Sequence, residues 1–148
     1  VIRTGNLSIP SGTFYDVEIT GPSAGTGYDQ ADVTGTVTLG GQLSVTMGHF
    51  PPPGSQFVII ANDGNDPVNG TFSGLPEGAT LTVGDLSFKI SYVGGSGNDV
   101  VLTAVGYNLP ATPVPVGTPA SLALLGLLLA IGAMACRCLA HACADTGR

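Results

Sequence analysis

The chain has 148 residues, which is the length of one domain with an appendage. Up to Pro119 it carries nine carboxylates against two bases, Arg3 and Lys89. Such a surface repels phosphate backbones, so nucleic acid is not an expected partner. Gly supplies 23 of the 148 residues and Val, Thr and Leu recur throughout, a composition of many short strands joined by tight turns. All three cysteines (Cys136, Cys138, Cys143) fall in the last 13 residues, so no disulfide staples the main domain. The first residue is Val and no secretory signal is visible, as expected of a fragment or a processed product.

Residues 6–9 (NLSI) and 15–20 (YDVEIT) alternate apolar with polar, and GPSAGTG (21–27) is a loop. The pattern sharpens over 33–47. Val33, Val37 and Leu39 share one parity, with Thr34, Thr36 and Thr38 on the other. Gly40-Gly41 follows, and then Leu43, Val45 and Met47 fall on one face. A Gly pair between two period-two runs predicts a hairpin or a tight solenoid corner. HFPPPG (49–54) cannot be a central strand, because its prolines lack donors. QFVIIA (56–61) is apolar on both faces, as in a fully buried strand. NDGNDPVNG (62–70) is a polar turn, and 70–79 crosses over in short steps. TLTV (80–83), LSFKISYV (86–93) and DVVLTAV (99–105) complete the strands. In LSFKISYV, Leu86, Phe88, Ile90 and Tyr92 face inward, opposite Ser87, Lys89 and Ser91. A weak echo links TLGGQLSV (38–45) with TVGDLSF (82–88), about 43 residues on.

The expected fold is therefore all-β over residues 1–106, either the end of a short-strand β-solenoid or a sandwich-like module. The expected core comprises Val37, Leu39, Leu43, Val45, Phe57, Ile59, Phe88, Ile90, Tyr92 and Val101. A Pro-rich spacer (107–119) follows. ASLALLGLLLAIGAMAC (120–136) then has 17 residues and no charge. As a helix it would span about 26 Å, a short membrane crossing. Arg137 sits directly after it, so the positive-inside rule places the short tail 137–148 in the cytoplasm and the β module outside.

Chemistry is sparse. GGSGNDVVL (94–102) fits G-G-x-G-x-D-x-(apolar)-x, the calcium-binding repeat of parallel β-rolls. Gly95, Gly97, Asn98 and Asp99 are therefore calcium candidates, through carbonyls and a carboxylate. The repeat occurs once, however, and each β-roll ion sits between two consecutive turns. The preferred reading of the same letters is a glycine-rich hairpin turn between 86–93 and 99–105. NDGNDP (62–67) lacks the spacing and the distal Glu of an EF-hand loop and reads as a turn. For catalysis the domain offers one histidine, His49, in a Gly/Pro loop, and carboxylate pairs such as Asp29 and Asp32. No G-x-S-x-G elbow is present. No enzyme activity and no cofactor other than calcium are expected. Cys136, Cys138, His141 and Cys143 could ligate zinc or carry acyl chains, but chance clustering in a short tail explains them as well. NLS (6–8) and NGT (69–71) match glycosylation sequons, which in a bacterium stay bare.

The wording of residues 28–105 adds a resemblance. YDQ, VTGTVTLGG, GTFSGLPEG, ISYVGG and GNDVVL, in that order, resemble a C-terminal module of bacterial exported proteins of the β-solenoid and autotransporter-passenger kind. The tail PVPVGTPASLALLGLLLAIGAMACR (113–137) is similar to a PEP-CTERM-type sorting signal in a Pro-motif variant, with Pro113, Pro115, Pro119 and Arg137 as the signal positions. VPVGTP lacks the Glu of Pro-Glu-Pro, and one Arg stands where a basic run is usual. The resemblance implies a structural stalk or cap in the bacterial cell envelope. Its partners would be the upstream part of the same protein, the membrane through 120–136, and a membrane-embedded sorting enzyme. An adhesin-like or calcium-stiffened binding module is the alternative, and a fragment of a β-helix carbohydrate-active enzyme a third.

Overall fold

The computed structural model describes residues 1–108, which lie within one compact unit, Val1–Leu109. The expected spacer from 109 on, the apolar helix 120–136 and the tail 137–148 lie outside the described residues. Within them the chain is all-β, with eleven strands and no helix. No helix among the described residues is long and apolar enough to cross a membrane.

The first six strands are two successive circuits. β1 (Ile2–Thr4), β2 (Leu7–Ile9) and β3 (Phe14–Ile19) make the first, and β4 (Ala31–Val33), β5 (Val37–Leu39) and β6 (Gln42–Met47) the second. Each strand pairs in parallel with its counterpart one circuit on: Ile2 with Ala31, Leu7 with Val37, Phe14 with Gln42. β7 (Gln56–Asn62) and β8 (Asn69–Gly70) continue two of the three ladders, Ala31 pairing with Ile60 and Thr38 with Asn69. Partners are thus 28 to 31 positions apart. This spacing, and not the 43-residue echo, is the structural repeat.

Parallel register stacks like on like. Leu39 lies over Ile9, Val45 over Val17 and Met47 over Ile19. The alternation read from the sequence holds, since Val33, Val37 and Leu39 are buried and Thr38 is exposed. The run 33–39 is nevertheless two strands, with a corner at Thr34–Thr36. The second Gly step is also a corner: β5 and β6 belong to different ladders. Both corners use glycine for closeness and not for an unusual φ. A Cβ at Gly35 would strike the Gly5 carbonyl oxygen at 2.6 Å, and one at Gly41 the Thr13 carbonyl oxygen at 2.6 Å. Neither residue has positive φ.

The stack is closed by antiparallel strands. β9 (Thr80–Val83), β10 (Leu86–Gly94) and β11 (Asp99–Tyr107) form a meander, and β11 pairs antiparallel with β7. The register of β7 against β11 slips at one point: Val100 faces Ile60 while Val101 faces Val58. Ile59 is the extra residue of a bulge, so Ile59 and Ile60 are both buried despite being adjacent. This, rather than a flat strand covered on both faces, accounts for the apolar run QFVIIA.

The core holds Phe57, Ile59, Phe88, Ile90, Tyr92 and Val101 as expected. Leu43 and Val45 are only partly buried and pack against its margin. Val17, Ile19, Ile60, Phe72 and Leu102 belong to it as well. Ser87 is buried on the side expected to be solvated, where its hydroxyl oxygen accepts from Asn108 Nδ2 at 2.7 Å.

The corner argument predicts an asymmetric pair. Gly35→Ala should lower stability by about 1–3 kcal/mol through overpacking. Gly5→Ala, which meets nothing within 4 Å, should stay within about 0.5 kcal/mol. Urea midpoints of the two variants measure this, and equal effects would remove corner stacking as the cause.

Candidate functional site

The most highly organised polar region is where the last parallel strand meets the closing hairpin. The turn Asn62–Asp66 leaves β7, and the turn Gly94–Asp99 joins β10 to β11. Asn98 is 5% exposed and Asn62 4%, and both lie at the join. Asn98 Nδ2 donates across the gap to the carbonyl oxygens of Asp63 (3.2 Å), Gly64 (3.4 Å) and Asp66 (3.2 Å). Its Oδ1 accepts from Ser96 Oγ at 2.8 Å. Asn62 Nδ2 donates to the same Asp66 carbonyl at 2.9 Å. Burial makes such groups costly unless paired, and here three carbonyls share the two hydrogens of one amide.

The four residues with calcium-repeat letters fall together in the hairpin turn. Gly95 (φ 54°) and Gly97 (φ 111°) take left-handed backbone, which glycine adopts freely. A Cβ at Gly95 would run into the Asp99 carboxylate. Asp99 Oδ1 accepts from the Asn62 N–H at 2.8 Å, and Oδ2 from the Ser96 N–H at 3.3 Å. Its two oxygens therefore tie the turns together, while the Asn98 amide nitrogen faces the opposing carbonyls. Among the described residues no three His, Cys, Asp or Glu side chains converge as a metal-binding group. Pro113, Pro115, Pro119 and Arg137 lie outside the described residues, as do Cys136, Cys138, His141 and Cys143.

The groups weighed for catalysis are not brought together. Asp32 pairs with Arg3 on the surface, Nε to Oδ2 at 3.2 Å. Asp29 Oδ2 accepts the Glu18 N–H at 3.1 Å and borders a polar depression with Glu18, Thr20 and Tyr28. His49 lines a separate groove beside Pro51, Pro52 and Phe57.

Two tyrosines carry interior polar work that the pattern of letters did not disclose. Tyr92 OH donates to the Leu75 carbonyl at 2.7 Å and accepts from the buried Phe72 N–H at 3.0 Å. The Tyr92 N–H donates to Glu77 Oε2 at 2.6 Å. One residue thus pins the crossover 70–79 beneath β10 and holds Phe72 fully buried. Tyr15 OH donates to the Ile59 carbonyl at 2.9 Å across the stack. Burial pushes the Tyr15 phenol up to about 12; a backbone hydrogen bond with Ala31 opposes this and the Asp29 charge adds to it. Burial also raises Tyr92, with Glu77 adding to it against the Phe72 hydrogen bond. Alternation had marked Tyr92 as inward, but its partners come from a segment with no strand pattern.

No family model, no curated protein and no solved structure matches this chain.

Tyr92→Phe keeps the ring and strands the Phe72 N–H, so unfolding free energy should fall by about 1–3 kcal/mol. Urea denaturation of the variant is the measurement. The phenols give an alkaline prediction. Unfolded tyrosine ionises near 10, and folded Tyr15 holds its proton to about 12. The unfolded chain therefore binds fewer protons between these values, and stability falls as pH rises through this window. Below pH 10 the Tyr15 contribution is complete; by pH 12 the loss reaches about 2–3 kcal/mol. Urea midpoints from pH 8 to 12 should show this fall, shallower in Tyr15→Phe.

Proposed function

We propose that this chain is the C-terminal end of an exported bacterial surface protein, a β-solenoid whose last coils are the two circuits described above. Its role is structural: a stalk closed by the β9–β11 cap and held or sorted at the membrane by residues 113–137. The observation that supports it most directly is the open outer edge of the first circuit. On the β2/β5 ladder the second circuit buries Val37 and Leu39 over half-buried Leu7 and Ile9, whereas on the β3/β6 ladder the first circuit buries Val17 and Ile19 and Leu43, Val45 and Met47 are half-buried. Ile2 and Phe14 are 75% and 62% exposed. Among the described residues no strand pairs with the outer edges of β1 or β2, while the end of β3 at 18–20 is bonded by the segment 27–29. Open edges at β1, β2 and the start of β3 are a template for one more coil, and the upstream part of the same protein is the natural occupant. At the opposite end β11 covers the edge of β7 in the antiparallel sense.

The acidic surface and the scattered catalytic candidates fit a non-catalytic role. The anchoring half of the proposal rests on the sequence of 113–137, its resemblance to a sorting signal and its uncharged apolar run.

Localisation tests the reading. With an export signal placed before Val1, the chain is expressed in a Gram-negative host that carries a sorting enzyme of this kind. The expected product is in the envelope fraction, open to external protease over the β module, and lighter than the unprocessed chain by its tail. A full-length product retained in the cytoplasm would overturn the proposal. Gly5 gives a second test. Gly35 shows what an incoming coil does to this corner, so Gly5→Ala should be silent in this chain and destabilising in a longer protein that supplies the preceding coil.

A further inference from the structure

We propose that the turn Asn62–Asp66, closed by Asn98, is a weak calcium site at the junction of stack and cap. This displaces calcium from the glycine-rich hairpin turn to the turn facing it. The inference needs only the fold, and it stands or falls independently of the surface-protein reading.

Two observations point to a cation. First, the carbonyl oxygens of Asp63, Gly64 and Asp66 converge on one point, the position of Asn98 Nδ2. Three carbonyl dipoles aimed inward make a site of negative potential, and an amide NH2 offers only two hydrogens to the three of them. Second, two acceptor atoms beside this cluster are buried and have no hydrogen-bond partner: Asn62 Oδ1 and Asp66 Oδ2. Asn62 is 96% buried, and its amide nitrogen rests on the same Asp66 carbonyl that Asn98 holds. Its nitrogen touches the cluster, so a turn of this amide about Cβ–Cγ would bring the orphan oxygen to it. Unsatisfied buried acceptors are rare and expensive, and in a turn of this kind they call for an ion or a water.

The remaining donor comes from Asn98 itself. Turning its amide about Cβ–Cγ exchanges the two ends. Nδ2 then donates to Ser96 Oγ, which accepts as readily as it donates, and Oδ1 enters the ring of carbonyls. That arrangement is repulsive unless a cation sits between. With one, it supplies six oxygens: Asn62 Oδ1, Asp66 Oδ2, Asn98 Oδ1 and three carbonyls. An all-oxygen set of amides and turn carbonyls with a single carboxylate suits calcium. Magnesium demands stricter octahedral geometry and keeps its waters. One carboxylate implies weak binding, in the range of about 0.1–1 mM seen for extracellular modules. Asp99 is not a ligand in this scheme. Its oxygens hold the Asn62 and Ser96 N–H groups and so set the distance between the turns.

Thermal unfolding of the full chain in non-ionic detergent, followed by circular dichroism, tests the site. The chain is compared at matched ionic strength in EDTA, 10 mM magnesium chloride and 10 mM calcium chloride. Calcium should raise Tm by roughly 5 °C over EDTA, and magnesium by much less. Asp66→Asn should remove the calcium shift. Asn98→Asp puts a carboxylate against the three carbonyls, so its Tm should fall in EDTA and recover with calcium by more than the parent gains. The Asn98→Asp arm keeps the test decisive if Asp66→Asn does not fold. An equal response to magnesium, an undiminished shift in Asp66→Asn, or no calcium response in either the parent or Asn98→Asp overturns the proposal. Water alone would then satisfy the two orphan oxygens.

Discussion

Parallel pairing between segments about 29 residues apart is the constraint on which the rest depends. Once Ile2 lies beside Ala31 and Leu7 beside Val37, every inward position has the corresponding position of the next circuit as its neighbour. Columns of like side chains follow, and so does a core that runs along the stack. The corners inherit the same rule. Gly35 is glycine because Gly5 and Asn6 sit directly against it, and Asn6 Oδ1 accepts the Thr36 N–H at 3.0 Å from the neighbouring corner. A side chain that leaves the column has no other place to go, so disruption at one corner is felt by the ladders on both sides of it.

Period two identified the strands in the sequence, because the rule is local: Val33, Val37, Leu39 against Thr38 needs no knowledge of partners. The connection at Gly40-Gly41 was not legible, for a physical reason. Glycine serves hairpins through positive φ and corners through the missing Cβ, and the letter is the same in both. The structure separates the two uses. Gly40 and Gly41 have ordinary backbone and Gly41 a crowded Cβ position; Gly95 and Gly97 have positive φ and form a true hairpin turn. The repeat was hidden likewise. Column partners share apolar character but not identity, as in Ile9 and Leu39 or Val17 and Val45. The 43-residue echo matched letters between a parallel ladder and an antiparallel one.

The candidate site was half legible. Asn98 and Asp99 stood out as members of a repeat pattern, yet what they touch is 32 to 37 residues away in a turn that looked unremarkable. A polar residue within a glycine-rich turn is read as exposed, since turns lie at the surface. Here two turns face each other, and each buries the other's asparagine. No local pattern encodes that. The same holds for Tyr92, whose inward parity was clear but whose hydroxyl partners belong to the strandless crossover 70–79.

The cap explains why the stack stops where it does. β8 has two residues, too few to carry a ladder further, and the chain then crosses beneath β10 under the hold of Tyr92. β11 returns along β7 in the opposite direction, so the edge that would have accepted a fourth parallel circuit is occupied by a strand of the wrong sense. The meander ends in β9, four residues long, a poor template for further pairing. The energetic burden of this reversal falls on one place, where the parallel strand β7 must end within reach of an antiparallel hairpin. Asp99 and Asn98 span that place with charge-assisted and amide hydrogen bonds. The polar lock therefore sits where the sense of pairing changes, because there the backbone cannot satisfy itself by continuing a ladder.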